Sequence, residues 1–503
     1  MGFTQIRDVV IVGGGTAGWM TAAALSALLP AHYRYTLVES DQIGTIGVGE
    51  ASIPYLRDFN NALGIDEDDF LCRTGGTFKL GIEFVDWAAI GHSYFHGFGK
   101  IGQDTPRAAF HHYWLKLAQQ GGAPPLEQLS LNALAAREGK FLRPQADMAG
   151  SPLADVNYAF QFDAGLYAQY LRELAEARGV RRVEGRIVDV GLRGGDGFID
   201  TLRLENGTAI AGDLFIDCSG LAALLIGKSL DTGFEDWSRW LPCDRAIAVP
   251  SASSGPTAPY TRASARSAGW QWRIPLQHRV GNGYVYASAF IDAAGAEAEL
   301  LGRLDGAPLA APRHLRFAPG RRRQAWSRNC VAIGLAAGFL EPLESTSIHL
   351  VQTALRRLVE FFPDGQFCQP DMDAFNRQTA SEYDEIRDFL VLHYKATSRS
   401  DTPFWDYCRT MDVPATLAER IALFESRGRI ATTSEDLFGD TNWLQVMAGQ
   451  GLRPRGYHPA VDQRSTEDIA RFIGNIEQVV DKCTGVMPLH DDFIAAHCAA
   501  KLR

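Results

Sequence analysis

The sequence predicts an α/β protein whose N-terminal part is built on a parallel sheet and whose C-terminal part is mainly helical. Three observations predict it. Residues 8–12 (DVVIV) are a short apolar run, 16–29 (TAGWMTAAALSALL) an Ala- and Leu-rich helical run, and 34–39 (RYTLVE) a second strand-like run. That order, with so short a crossover, is a βαβ unit. From about residue 348 onward, apolar residues recur at helical spacing through 347–362, 373–394, 414–427 and 467–483. Hydrophobic residues are 46% and charged residues 21% of 503, which fits a large globular core and excludes disorder.

Between those ends, 166–177 (LYAQYLRELAEA) reads as a helix. Runs at 180–192 and 200–220 read as strands, and the turn signals GDG and ENG suggest hairpins. Residues 245–268 are rich in Ser, Ala and Pro and read as a long loop, while 329–335 (NCVAIGL) reads as a buried strand. The net charge of −10 argues against a nucleic-acid or anionic-membrane partner, which needs a basic face. No secretory pattern opens the chain, and no run approaches the ~18 apolar residues of a membrane span. The eight cysteines include no CxxC pair, so no metal site is expected and the thiols suit a reducing cytoplasm.

Gly13-Gly14-Gly15-Thr16-Ala17-Gly18 fits GxGxxG between the first strand and the first helix. Gly13 allows the tight turn, Gly15 lets a pyrophosphate approach the backbone, and Gly18 lets helix and strand pack closely. The helix N-terminus at Thr16 and Ala17 then meets the phosphates with its partial positive charge. Glu39 ends the second strand 21 residues after Gly18 and can accept hydrogen bonds from a ribose 2′-OH. The glycines alone do not separate NAD from FAD. The apolar strands at 213–220 and 329–338, each running into small residues, lean towards FAD.

Further segments carry a resemblance. Gly269-Trp270-Gln271-Trp272-Arg273-Ile274-Pro275 matches a WxWxIP motif, and Gly47-Val48-Gly49-Glu50-Ala51 matches a GVGEA loop. Thr77-Phe78-Lys79-Leu80-Gly81, Glu341-Pro342-Leu343-Glu344-Ser345-Thr346 and Asn442-Trp443 complete an ordered set from about residue 8 to about 455. The chain thereby resembles the flavin-dependent halogenases of the tryptophan (indole) type. The resemblance implies an FAD/NAD(P)-binding, Rossmann-like domain of the glutathione-reductase type, with a mainly helical C-terminal substrate region. It sets an FAD module at 1–355, with substrate-site segments interleaved at about 75–155 and 230–325, and a helical region at 356–503. It assigns Val48, Gly49, Glu50, Ala51, Ile187, Leu335 and Ile348 to the cofactor, beside the glycines.

The implied chemistry starts from reduced FAD (FADH2) supplied by a separate flavin reductase. With O2 it gives a flavin hydroperoxide, which halide attacks to form hypohalous acid. The acid passes through an internal tunnel to Lys79, which hydrogen-bonds it or becomes a haloamine. Glu344 holds the lysine or the acid, or takes the proton from the cationic ring intermediate. His96, Phe98, Trp443 and Ser345 belong to the substrate side. Trp270 and Trp272, with Ile274 and Pro275, crowd the route from flavin to substrate and so prevent direct oxygenation. A homodimer rests on analogy alone.

Taken singly, these residues have plainer readings. Lys79 alone reads as a snorkelling surface lysine, Glu344 as a solvated loop acid, His96 as a satisfied core histidine and Phe98 as core packing. Two departures also stand out. Free-tryptophan enzymes of the family place a tyrosine pair and an acid before the Asn-Trp segment; residues 431–442 contain no tyrosine, only Glu435, Asp436 and Asp440. An indole without the amino-acid handle, or a larger or peptide-borne aromatic, therefore fits better. At the halide cradle of Thr346 and Ser347, the serine stands where the family usually has glycine. A narrower cradle, a different halide preference with bromide favoured, and no change are all open. Two other functions share the FAD module: an aromatic hydroxylase, and a non-catalytic flavin-binding protein.

Overall fold

The structure is a computed structural model and describes residues 6–43 and 49–501. A six-stranded sheet has the order Trp326–Ser327, Cys330–Ala332, Leu214–Asp217, Asp8–Val12, Arg34–Glu39, Arg181–Glu184. Its inner pairings are parallel, with Val9 opposite both Leu214 and Tyr35. Val9 to Val12 are buried, which is why this strand is uniformly apolar rather than alternating. The helix Thr16–Leu28 packs on it through small residues, and Ala22, Ala23 and Ala24 are wholly buried between helices Ala164–Ala177 and Ser347–Glu360.

Only part of 180–220 forms hairpins. Ile187–Leu192, Ile199–Leu204 and Ala209–Ala211 make a small antiparallel sheet, turning at Gly197 and Gly207 with φ of 70° and 84°. Arg181–Glu184 and Leu214–Asp217 instead join the parallel sheet, since both runs must cover the flanks of the first two strands.

A second sheet of seven strands has the order Arg313–Arg316, Arg245–Ser251, Val280–Tyr286, Gly269–Pro275, Thr261–Arg266, Gly81–Val85, Ser93–Gly97. The stretch 245–268 is therefore not a long loop: Arg245–Ser251 and Thr261–Arg266 are strands of this sheet. The alanines of the latter are buried opposite the two tryptophans of the next strand. Ala263 faces Trp272 and Ala265 faces Trp270 across the strand pair. A third sheet, Gly49–Ala51, Ala159–Asp163, Thr77–Lys79, joins the cofactor side to the lysine. Helices Gln369–Lys395, Ala415–Arg427, Asp440–Gly449 and Thr466–Gly485 close the far side. The hydrophobic core beneath the site draws on residues from Ala51 to Met447, on both sides of 355. Among the described residues, no helix is long and apolar enough to cross a membrane, and all eight cysteines are unpaired.

Trp272 lies flat on its neighbouring strand because position 283 is glycine: a Cβ there would stand 2.0 Å from the Trp272 ring. Gly283→Ala should therefore lower stability by about 1–3 kcal/mol in urea denaturation. In a Trp272→Phe background the same alanine should cost clearly less. An equal cost in both backgrounds would assign the clash to the Ile247 carbonyl oxygen, 2.6 Å from the same Cβ, rather than to the indole.

Candidate active site

The cofactor end starts from glycine geometry. Gly13 has φ of 111°, and a Cβ on it would lie 2.3 Å from the Cys218 carbonyl oxygen. A Cβ on Gly18 would lie 1.8 Å from the Gly13 oxygen. Around Gly15 there is open space to 4 Å, and it caps the helix without any side-chain hydrogen bond. The first-turn N–H groups thus have no side-chain cap and can serve an anion. The Glu39 carboxylate lies over Gly14, with Oε2 1.4 Å from where a Cβ would be. Arg182 pairs with its other oxygen, leaving acceptor sites for a hydroxyl. These residues fit a dinucleotide.

The other assigned positions fall around this cleft in different ways. Gly334, with φ of 70°, brings the second small-residue turn against Ala17. Leu335 beside it is half-buried and Ile348 is buried. Ile187 is half-buried, two residues past Gly185, whose N–H donates to the Glu39 carbonyl at 2.8 Å. Gly47 and Val48 lie outside the described residues. Gly49 and Gly281 pack backbone to backbone, and Ile274 of the WxWxIP strand touches the same point. Two motifs far apart in sequence therefore meet here. The burial of Glu50 beside them pushes its carboxyl up to about 7.

Lys79 ends the strand Thr77–Lys79 and has 0% exposure. It is not a snorkelling lysine. Its Nζ donates to Ser345 Oγ at 2.8 Å and to the Ser52 carbonyl at 3.1 Å, and it stands 5.3 Å from the Phe98 ring centroid. Burial pulls the amine down to about 7, against the opposing pull of Glu344. Ser52 is itself fixed, because its N–H and hydroxyl both donate to Phe160 O and its Oγ accepts from Phe160 N. Ser345 adopts a left-handed φ of 60°, a strain of about 1–3 kcal/mol of the kind found at functional sites.

Glu344, 2% exposed, is no solvated acid. His96 Nδ1 lies 3.0 Å from both its oxygens, and His393 Nε2 lies 2.9 Å from Oε1. Burial raises the carboxyl, but contact with the two histidines outweighs it and holds it below the ordinary carboxylate range. Three residues earlier, Glu341 Oε2 accepts from Trp270 Nε1 at 2.7 Å and from the Tyr394 hydroxyl at 2.5 Å. Burial pushes the Glu341 carboxyl up to about 7. Thr346 is wholly buried with its hydroxyl unpartnered, and Ser347 opens the helix Ser347–Glu360.

On the aromatic side, His96 is 2% and Phe98 9% exposed. Trp443 is fully buried, edge-on to Phe389 at 4.9 Å, and Phe438 stacks on Phe389 at 3.9 Å. Arg420 lies over Trp443 at 4.7 Å and pairs with Asp436 at 2.8 Å. Thr432 bonds Asp440. The backbone N–H groups of Leu437 and Phe438 donate to Glu385 at 2.9 and 3.1 Å. Asp436 and Asp440 are thus already engaged by the protein, while Glu435 is exposed.

Residues 8–466 match the family described as tryptophan halogenase. The chain belongs to the tryptophan halogenase family. It is 37% identical to the tryptophan 6-halogenase SttH of Streptomyces toxytricini, over 92% of this chain and 95% of that one. Among solved structures, it superposes on the flavin-dependent halogenase Xcc4156 of Xanthomonas campestris with a TM-score of 0.96. That match has 47% identity and covers 99% of this chain and 100% of the other. BrvH, a flavin-dependent halogenase of Brevundimonas sp. BAL3, superposes at 0.94 with 49% identity, over 98% and 99% of the two chains. The protein is accordingly a flavin-dependent halogenase with an α/β fold and a helical C-terminal region.

Several residues around this candidate site were given no role from the sequence, although Ser52 and Glu341 lie in or beside the matched segments: Ser52, Glu341, Phe389, His393, Tyr394 and Phe438. Each acts through a partner remote along the chain. Only the alternation of His393 and Tyr394 on the Gln369–Lys395 helix marks two faces, one towards Glu344 and one towards Glu341.

A buried amine leaves a thermodynamic trace. Lys79 titrates near 7 when folded against an ordinary value near 10.5, so between those values the unfolded chain binds the extra proton. Stability must then rise with pH across that window, by up to about 1.4 kcal/mol per pH unit. The difference in unfolding free energy between wild type and Lys79→Met should grow in favour of wild type from neutral pH upward. A flat difference would place the amine in water.

Proposed function

We propose that this halogenase acts on an electron-rich, indole-type aromatic, with hypohalous acid engaged at Lys79 and Glu344 serving the ring. Bound reduced FAD, delivered by a separate flavin reductase, supplies the electrons that turn O2 and halide into that acid. The observation that carries the reading is an amine with no exposure to water, held by Ser345 and Ser52 and titrating near neutrality, close to a buried carboxylate. As an ammonium, Lys79 donates to the oxygen of the acid, so that hydroxide leaves as water while the halogen bonds carbon. As a free amine it takes the halogen from oxygen, giving up one N–H proton so that water leaves, and regains a proton as the halogen passes to carbon. Glu344 receives the C–H proton as the ring regains aromaticity. Its charge also stabilises the cationic intermediate before that step.

The aromatic ring is flanked by His96, Phe98 and Trp443, with stacking terms of roughly 0.5–1.5 kcal/mol per pair. Leu437 packs against Phe98 and Ile53, giving the site an apolar rim. With Asp436 bonded to Arg420 and Asp440 to Thr432, no tyrosine clamp and no free acid pair grips an amino acid's charged ends. This favours an aromatic without that handle over free tryptophan. Halide rests at Thr346 and Ser347. The unpartnered Thr346 hydroxyl supports an anion there, and bromide is the halide we assign to it. Glu341 keeps the Trp270 indole fixed, and Trp272 lies beside it at 6.2 Å. Together they form the wall that keeps oxygen transfer away from the ring. The protein works in the cytoplasm, where its unpaired thiols stay reduced.

Incubation with a flavin reductase, O2, and bromide or chloride should convert indole to a product heavier by one halogen, with bromide faster and free tryptophan slower. Lys79→Ala should lose at least about 100-fold in kcat while still binding FAD. Halogenation by the alanine variant at the wild-type rate, or products that gain oxygen instead of halogen, would refute this reading.

A further inference from the structure

Glu344 contacts two histidines, and the hydrogen bonds around them decide which one carries charge. Gly439 donates its backbone N–H to Asn442 Oδ1 at 3.0 Å. That turns the amide so that Asn442 Nδ2 faces His96 Nε2 at 2.9 Å. An amide nitrogen only donates, so Nε2 of His96 is an acceptor and bears no proton. The His96 proton is on Nδ1, which donates to Glu344. His96 is therefore a neutral donor.

His393 differs. Its Nδ1 lies 2.8 Å from the Phe389 carbonyl, an acceptor only, so Nδ1 holds a proton. Its Nε2 stands 2.9 Å from Glu344 Oε1, too far out of line for a hydrogen bond but well within charge contact. A neutral His393 would leave an unprotonated, partly negative Nε2 within 2.9 Å of a carboxylate oxygen, with 0% of its own side chain in water. Repulsion of that kind is unscreened in the interior. The pair must therefore hold one proton of its own.

The surroundings supply no substitute. Phe84 and Trp87 face His393 with their rings at 4.8 and 6.1 Å, and Gln450 bonds only its backbone carbonyl. Towards Glu344 stand the Tyr94 phenol, neutral His96, and Lys79, whose hydrogen bonds go to Ser345 and Ser52. The charge on Lys79 also changes during the reaction, so it is no constant counter-ion. We propose that His393 is a positioning residue that carries this proton as an imidazolium and so keeps Glu344 a carboxylate beside the arene. The inference rests on the reading that Glu344 serves the ring as a carboxylate.

The FAD-loaded enzyme is followed by infrared difference spectroscopy from about pH 8 down to about pH 3, with Glu344→Gln as the reference that assigns the Glu344 carboxyl band. An opposite charge at this range is worth about 1–3 pH units. Wild type should show no protonated Glu344 band in the range. His393→Gln keeps an amide donor near Oε1 but no charge. It should show the band as pH falls, with the acid limb of kcat raised by about 1–3 units and KM little changed. A role in packing alone would be rescued by glutamine and leave the limb in place, which overturns the proposal. A protonated band in wild type at neutral pH overturns it without any His393 variant, even if that variant does not fold. Full activity of Glu344→Gln would instead refute the role of Glu344, while the infrared result still reports on His393.

Discussion

Removing the Lys79 amine from water is the constraint around which the site is arranged. An ammonium with no exposure is costly unless its donors are matched and its charge is balanced or given up. The surrounding chain meets that demand locally. Ser345 turns into a left-handed conformation with its hydroxyl against Nζ, and Ser52, bolted to Phe160 in both directions, offers its carbonyl. The result is an amine that exchanges its proton near neutrality, which is what a donor that is also a nucleophile requires.

The Pro342–Glu344 turn adds a second layer of control. Glu341 and Glu344 lie three residues apart, and consecutive residues of one helix, Tyr394 and His393, reach them separately. The first carboxyl is drawn up to about 7 and holds the Trp270 indole; the second is drawn below the ordinary range beside His96 and His393. One short turn thus holds two carboxyl groups in opposite states because their partners differ, hydroxyl and indole N–H on one side and histidines on the other.

The βαβ start, the glycine turn, the C-terminal helices and the ordered motifs were legible because each is a local pattern. The strands at 245–251 and 261–266 were not. Their small residues suggest a loop, yet Ala263 and Ala265 are buried strand residues in register with Trp272 and Trp270. A lone chain reading sees the alanines without the indoles. The plain readings of Lys79 and Glu344 as surface residues also fail, since their burial depends on partners hundreds of positions away, such as Ser345 for the lysine and His96 for the glutamate. His393 was hidden for the same reason: nothing near it in sequence shows that it meets the Glu344 carboxylate.

The stretch before Trp443 hangs from the body of the protein mainly by two N–H groups on the Glu385 carboxylate, at Leu437 and Phe438. Between Ala431 and Asp436 its bonds are short-range or run to Arg420. That makes the segment a replaceable cassette clipped to a fixed hook. Ser434 and Glu435 are exposed at its tip, so side chains there can change without touching the Trp443 indole, and the rim can be altered without rebuilding the centre behind it.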